Sequence, residues 1–553
     1  MKPLSLLTAS LLALATTAQV YNPLAIPPAL DLDTFDLVVD EHVHQFYPGI
    51  NTNTYGASAE FLGPTLIMHK GDTAHLRVHN ALADFTSMHW HGLQVPGEMD
   101  GGPPRMVMPG ETWPVKFAVK NQAGTFWYHP HPHEMTAEQV NFGVAGLIIV
   151  KDEEEALLPL PRTYGVDDLP LVVQDRKFDA NGDFILYPFG DSVLVNGTPN
   201  AYVDCPAQVV RLRLLNGSNA RVYRFGFNDD RPFAVIGSDA GLLETPVSTD
   251  RLLLSNGERA EVLLDLTGME GDSLMLMSYA SELEDPVPGS SFFLWESSAL
   301  NGIDFPVLRI RVGAPTADPI TTVPVTLVNN TPPDLSAVSR TRQKALSGNG
   351  MVGMGMFYIN GAQFDMDVVN DTVMLGATEI WRVLNASDIA HPFHIHGGSF
   401  YVLDRDGVPP PAHERGPKDV VLVNMAETVR LIMTFNEPTD GWPFMYHCHN
   451  LMHEDNMMML QYMVVDPNTA VHALAGTPQG SVYPSPTTSS CTYSAPFAVE
   501  QVQVIDGTGR IVISQRTSAS TTGSIDLGAL PAGPYVLVLR SGTELVRTVV
   551  LKE

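Results

Sequence analysis

At 553 residues, with 44% hydrophobic and 17% charged side chains, the chain can bury roughly three or four domain cores and is too apolar for wholesale disorder. A formal net charge of -29 with no basic cluster excludes a polyanion such as nucleic acid as a partner. Beyond the first residues no uninterrupted apolar stretch is long enough to span a bilayer, which excludes a helical membrane enzyme.

The chain opens with Lys2, an apolar run from Leu4 to Leu14 and the small residues Thr16, Thr17 and Ala18 before Gln19. That is the pattern of a secretion signal over residues 1–18. Export permits disulfides, yet only Cys205, Cys448 and Cys491 are present. An odd count leaves at least one thiol free, and Cys448 stands among histidines; Cys205 and Cys491 can pair or remain free.

Further along, helical periodicity is scarce. Short alternating runs at Thr73–Val78, Val209–Leu215 and Val429–Met433 are separated by turn residues, and 45 glycines and 43 prolines fit many turns between short strands. The composition predicts an all-β chain of sandwiches or barrels. Three segments share one phrasing: PTLIMHKGDTAHLRVHN from Pro64, QVVRLRLLNGSNARVYRF from Gln208 and TEIWRVLNASDIAHPFHIH from Thr378. Each places an apolar strand and an Asn before a functional segment, which predicts a repeated domain. Acidic or Pro-rich connections near 152–161 and 314–324 read as linkers, and a Pro/Ser/Thr-rich stretch at 477–494 sets off a smaller fourth unit.

Most of the 18 histidines fall in four compact motifs: His89-Trp90-His91; WYHPHPHE with His129, His131 and His133; HPFHIHG with His391, His394 and His396; and HCHNLMHEDNMMM with His447, Cys448, His449, His453 and Met458. On a strand, residues two apart share a face, so each His-X-His pair aims two imidazoles into one site. Four pairs exceed the needs of one metal and predict a cluster. In His447-Cys448-His449 the imidazoles face one way and the thiolate the other, so one tripeptide touches two centres. Cys448, two imidazoles (His453 and His391) and the thioether of Met458 form the ligand set of a blue-copper site; structural zinc would not require eight further imidazoles.

With all four motifs in order, the sequence resembles the multicopper oxidases from about Phe35 to Asp466, and within them the three-domain bacterial laccases and cuprous oxidases. The resemblance implies three cupredoxin-like Greek-key β-sandwiches at 19–158, 159–316 and 317–470, the second a spacer without ligands. It implies four copper ions: type 1 on His391, Cys448, His453 and axial Met458; type 2 on His89 and His394. The type 3 pair would sit on His91, His129 and His449, and on His131, His396 and His447. Asp100 and Glu454 match positions that move protons toward bound oxygen, and an exposed imidazole edge of His453 or His391 would take electrons from substrate. The implied reaction couples one-electron oxidation of a small reductant to reduction of O2 to water. A non-catalytic copper-binding protein is disfavoured because every expected ligand is present.

The reductant leaves little signature. A Met cluster (Met351, Met354, Met356) in a Gly-rich loop suits cuprous ion. However, the chain lacks a long Met-rich helix, and Ser387 and Ile389 stand where the cuprous-oxidase branch has Asp and Met. The expectation is a phenol or aromatic amine. His133, Met457 and Met459, and the histidines at 42, 44, 69, 75, 79, 413 and 472, match no ligand position. Residues 471–482 read as a linker. The tail at 483–553, opened by YPSP, is similar to the C-terminal sorting domains of the type IX secretion system of Bacteroidota, with Pro534 a departure. It implies a small β-sandwich and a secreted or cell-surface bacterial protein handled by that machinery.

Overall fold

The computed structural model describes residues 20–293, 295, 298–351, 354–466, 480–506, 510–542 and 544–553. The segment read as a secretion signal, residues 471–479 of the linker and His472 lie outside them. Strand takes 52% of the chain and helix 6%, so the fold is all-β. Among the described residues no helix is long and apolar enough to cross a membrane.

The first sandwich faces a five-stranded sheet, including Gly146–Lys151, Gly124–His129 and His89–His91, against a four-stranded one built on Thr34–Tyr47 and Thr73–Asn80. Alternation decides which side chains go inside: in Thr73–Asn80 the residues Ala74, Leu76 and Val78 are buried and those between them face out. The middle sandwich packs an eight-stranded sheet against a six-stranded one around the largest core cluster. The chain's first described strand, Asn22–Pro23, pairs with Ala201–Tyr202 of that six-stranded sheet. The third sandwich has two five-stranded sheets, one carrying Phe444–Cys448 beside His391–Ile395. The tail is one five-stranded sheet whose long strand Ser490–Asp506 shifts register between Ser494 and Gln501; Cys491 and Tyr493 share a core with Leu537 and Val546. All three cysteines are free; Cys205 and Cys491 lie in the separate cores of the middle and last units.

The repeated phrase has a structural cause. Asn80, Asn216 and Asn385 each end a strand fully buried, where an unpaired amide would cost about 1–3 kcal/mol. Each side-chain oxygen accepts the N–H two residues on (Leu82, Ser218, Ser387). Each side-chain nitrogen donates to two carbonyls, Asp84 and Val107, Arg221 and Leu254, and Ile389 and Val423. The main chain of each Asn is held by a turn, 108–111, 255–258 or 424–427, whose third residue (Gly110, Gly257 or Ala426) is left-handed and whose glutamate side chain accepts the first N–H. Three sandwiches thus close on one corner.

Candidate metal centre

Two ribbons carry the histidines. In the first sandwich His89–His91 runs antiparallel to Gly124–His129, with His89 opposite His129. In the third, His391–Ile395 runs antiparallel to Phe444–Cys448, with His394 opposite His447 and Phe393 opposite Cys448. Strand alternation sends Trp90 into the first core and Cys448 into the third, leaving the imidazoles on the opposite faces. A short helix from each sandwich locks the seam: the Asp455 carboxylate, just past His453, accepts the N–H groups of Thr136 and Ala137 at 2.9 and 2.8 Å and so caps the helix Thr136–Phe142.

The donor atoms converge in groups. His91, His129 and His449 form one, His131, His396 and His447 another, and His89, His91 and His394 a third, all fully buried. Within them His131 Nε2 and His396 Nε2 each lie 3.2 Å from His447 Nε2, and His91 Nδ1 lies 3.2 Å from His449 Nε2 and 3.3 Å from His129 Nε2. Nitrogens bonded at ~2.0–2.1 Å to one tetrahedral ion stand ~3.3 Å apart, so the spacing fits a shared metal. His89 Nε2 and His394 Nε2 are buried without a protein partner, as a ligand atom would be.

The ring nitrogens facing away from the cluster are fixed by acceptors, which sets each tautomer. His89 Nδ1 donates to the Asp100 carbonyl, His396 Nδ1 to Asp100 Oδ2 at 2.7 Å, and His394 Nδ1 to the Asp419 carbonyl. Glu454 brings its carboxylate to 3.3 Å from His131 Nδ1 and 3.2 Å from His447 Nδ1, within ion-pair reach although not aligned as hydrogen bonds. Burial pushes the Asp100 carboxyl up to about 6, against the pull of His89 and His447. Burial and mutual repulsion hold the imidazoles of His89, His91, His131, His394, His396 and His449 well below the usual histidine range, so their lone pairs are free near neutral pH.

On the other face of the His447–His449 strand, Cys448 Sγ lies 3.3 Å from His391 Nδ1 and 3.5 Å from His453 Nδ1, with those two nitrogens 3.2 Å apart. Met458 is buried in the same core cluster, and its carbonyl accepts the Cys448 N–H. The Ser387 hydroxyl bonds His391 Nε2 at 2.7 Å, which gives this serine, in sequence only a contrast with Asp, a contact with the donor set. The expected exposed imidazole edge is corrected: His391 and His453 are both fully buried. Part of the cover is Phe357, itself buried, whose ring packs on His453 at 4.0 Å and stands 5.7 Å from His391. Of the methionine cluster, Met356 is exposed next to that phenylalanine.

His133 packs beside Phe364 outside the donor groups, as do Met457 and Met459. Three residues escaped the sequence reading. Asp419 Oδ1 takes His91 Nε2 at 3.1 Å, Arg259 donates to both oxygens of Asp419, and a Cβ on Gly257 would come within 3.0 Å of the His449 ring. Arg259 and Gly257 belong to the middle sandwich, so the expectation of a mere spacer is also corrected. None of the three lies in a motif; only the break in the repeat at Arg259 could have signalled it.

Family profiles described as multicopper oxidase match residues 39–155, 169–290 and 328–468, and one described as a secretion system C-terminal sorting domain matches 481–552. The multicopper oxidase mco of Staphylococcus haemolyticus is 33% identical over 437 residues, 76% of this chain and 86% of its own. The cell division protein FtsP of Escherichia coli is 34% identical over 465 residues, 81% of this chain and 94% of its own. Among solved structures, a bacterial laccase-like multicopper oxidase, CueO, from the lignin-degrading Ochrobactrum sp. aligns at TM-score 0.72 and 34% identity, covering 80% of this chain and 100% of that one. The McoA multicopper oxidase of Aquifex aeolicus aligns at TM-score 0.73 and 32% identity, covering 81% and 100%.

Proposed function

The chain belongs to the multicopper oxidase family, and from that premise we propose that it is a laccase-like oxidase holding four copper ions. It couples one-electron oxidation of phenols or aromatic amines to the four-electron reduction of dioxygen to water. The observation that carries the reading is the full complement of buried nitrogen and sulfur donors, grouped at spacings that suit shared metals on both faces of one strand. His391, Cys448, His453 and Met458 would hold a type 1 ion, His89 and His394 a type 2 ion. His91, His129 and His449, with His131, His396 and His447, would hold the type 3 pair.

Bound copper supplies the redox chemistry at both centres. The chain supplies the rest. His447-Cys448-His449 joins the two donor sets through covalent bonds alone. Asp100, its carboxyl raised by burial, offers Oδ1 as a proton acceptor while Oδ2 orients His396. Glu454 offers two carboxylate oxygens that make no hydrogen bond and lie within ion-pair reach of His131 and His447. Phe357, itself buried, packs its ring on His453, so an electron from a substrate would cross packed side chains rather than an exposed imidazole edge. The tail supports export to the medium or cell surface through a type IX system, which points to a bacterium of the Bacteroidota.

The test is oxygen uptake by the copper-loaded protein with a bulky phenol, free copper being chelated, and then with cuprous ion alone. Brisk uptake with the phenol is expected. Uptake only with cuprous ion would make the protein a copper-detoxifying oxidase and give exposed Met356 a role. No uptake with either, in protein holding its four coppers, would make it a non-catalytic copper-binding member of the family.

A further inference from the structure

The corner turn that closes each sandwich departs from its pattern at one charged position. In the first and third sandwiches the turn glutamate is followed by Thr112 and Thr428; in the middle one it is followed by Arg259. This arginine is fully buried. Its guanidinium donates to Asp419 Oδ1 and Oδ2, each at 2.6 Å, and to the carbonyls of Thr125, Gly257 and Asp239. Asp419, so held, serves two imidazoles from two different sandwiches. Its carboxylate accepts from His91 Nε2 at 3.1 Å, and its main-chain carbonyl accepts from His394 Nδ1 at 2.7 Å. Those two rings stack at 3.8 Å and 9°.

A neutral imidazole has one N–H, and the nitrogen that gives it to an acceptor leaves the other lone pair for a metal. Asp419 therefore makes the two stacked rings present opposite nitrogens, Nδ1 of His91 toward His129 and His449, and Nε2 of His394 inward. A lone carboxylate could rotate and take a proton from either ring. A two-pronged guanidinium contact fixes its plane in a way that a point charge does not. We propose that Arg259, from the middle sandwich, is a positioning residue of the histidine cluster: through Asp419 it selects the ring nitrogen by which His91 binds copper. The proposal rests on the reading of His91 and His394 as copper ligands.

The test compares Arg259→Gln, Arg259→Lys and Asp419→Asn with Arg213→Gln. Arg213 is an equally buried arginine of the same sheet that bonds Asp168, Glu261 and Thr125 but nothing in contact with an imidazole of the cluster. Ring nitrogen-15 shifts of His91 in the copper-free protein read the tautomer directly, and copper retained against a chelator reads the site. Arg259→Gln should give a mixed His91 tautomer and lose ~10–100-fold in affinity for cluster copper, with the blue centre unchanged. Arg259→Lys should fall between it and wild type, and Arg213→Gln should lower only the melting temperature. A wild-type tautomer and full copper in Arg259→Gln, or equal copper loss in Arg213→Gln, would overturn the proposal. Should Arg259→Gln not fold, near-isosteric Asp419→Asn decides the matter by the same shifts. If wild-type protein holds no copper cluster, the functional reading fails, while the copper-free tautomer comparison still judges this one.

Discussion

In the middle sandwich Asn216 ends a strand and Ser218, two residues on, bonds the phenol of Tyr223 at 2.8 Å; in the third, Asn385 ends the equivalent strand and Ser387 bonds the imidazole of His391 at 2.7 Å. The corner, the serine and the buried ring are common to both. In the middle sandwich the ring stacks on Phe225 and the space is all core. In the third it stands across from Cys448 and His453, and the same space becomes a set of metal donors. A core ring and a metal ligand are thus two uses of one scaffold position. The middle sandwich, which among the described residues has no donor group of its own, instead covers its neighbour's with Gly257 and Arg259.

The largest effect expected from breaking this comparison is on colour. Cys448→Ser should abolish the blue absorption and the type 1 copper while leaving cluster copper bound, as read by absorption and metal analysis. Tyr223→Phe in the middle sandwich should cost only about 1 kcal/mol of stability and no copper. Next, Asn216→Ala and Asn385→Ala should each lose roughly 2–4 kcal/mol in denaturant unfolding, because each strands several buried partners. Only the second should shift the blue band, since only its corner places His391. A shift in both would show that the middle corner reaches the blue centre through the packing the two sandwiches share at Ala390 and Leu422.

The turn glycines sharpen the point. Gly110 and Gly257 share φ of +78° and +81°, so alanine at either incurs about 1–2 kcal/mol of backbone cost. A Cβ at 110 meets open space, whereas at 257 it meets the His449 ring at 3.0 Å. Gly257→Ala alone should weaken cluster copper and alter the type 3 absorption; identical spectra in the two variants would count against contact across that seam.

Acid acts on the copper-free protein through the same imidazoles. Burial lowers His391 to about 3 and His129 to about 4, with most of the cluster imidazoles lowered likewise. The unfolded chain, titrating near about 6.5, then takes up protons the folded chain refuses. Stability of the copper-free protein is full above that pH and falls as pH drops toward the folded values, by about 1.4 kcal/mol per unit for each imidazole. Thermal melts from pH 8 to 5 should show the slope, and bound copper should flatten it.

Much of this was legible because strand chemistry is periodic. His89, His91, His447 and His449 could be placed from alternation alone, and Cys448 from being out of phase with its neighbours. Asn80, Asn216 and Asn385 were visible as a repeated phrase, although their hydrogen bonds were not. Asp419 and Arg259 were invisible because each stands singly, 160 positions apart, with no spacing rule between them. The cover of Phe357 over His453 was hidden for the same reason: alternation says which face a residue takes and nothing about which distant strand lies across it.

The division of the histidines between the first and third sandwiches also orders the protein's biogenesis. His91 and His449, members of one donor group, are 358 positions apart, and every group contains at least one donor beyond position 390. A chain complete only through its middle sandwich offers imidazoles with no third partner. Capture by three donors therefore waits until the third sandwich is made: among the described residues, a half-made polypeptide has no three-donor group with which to take up stray ions.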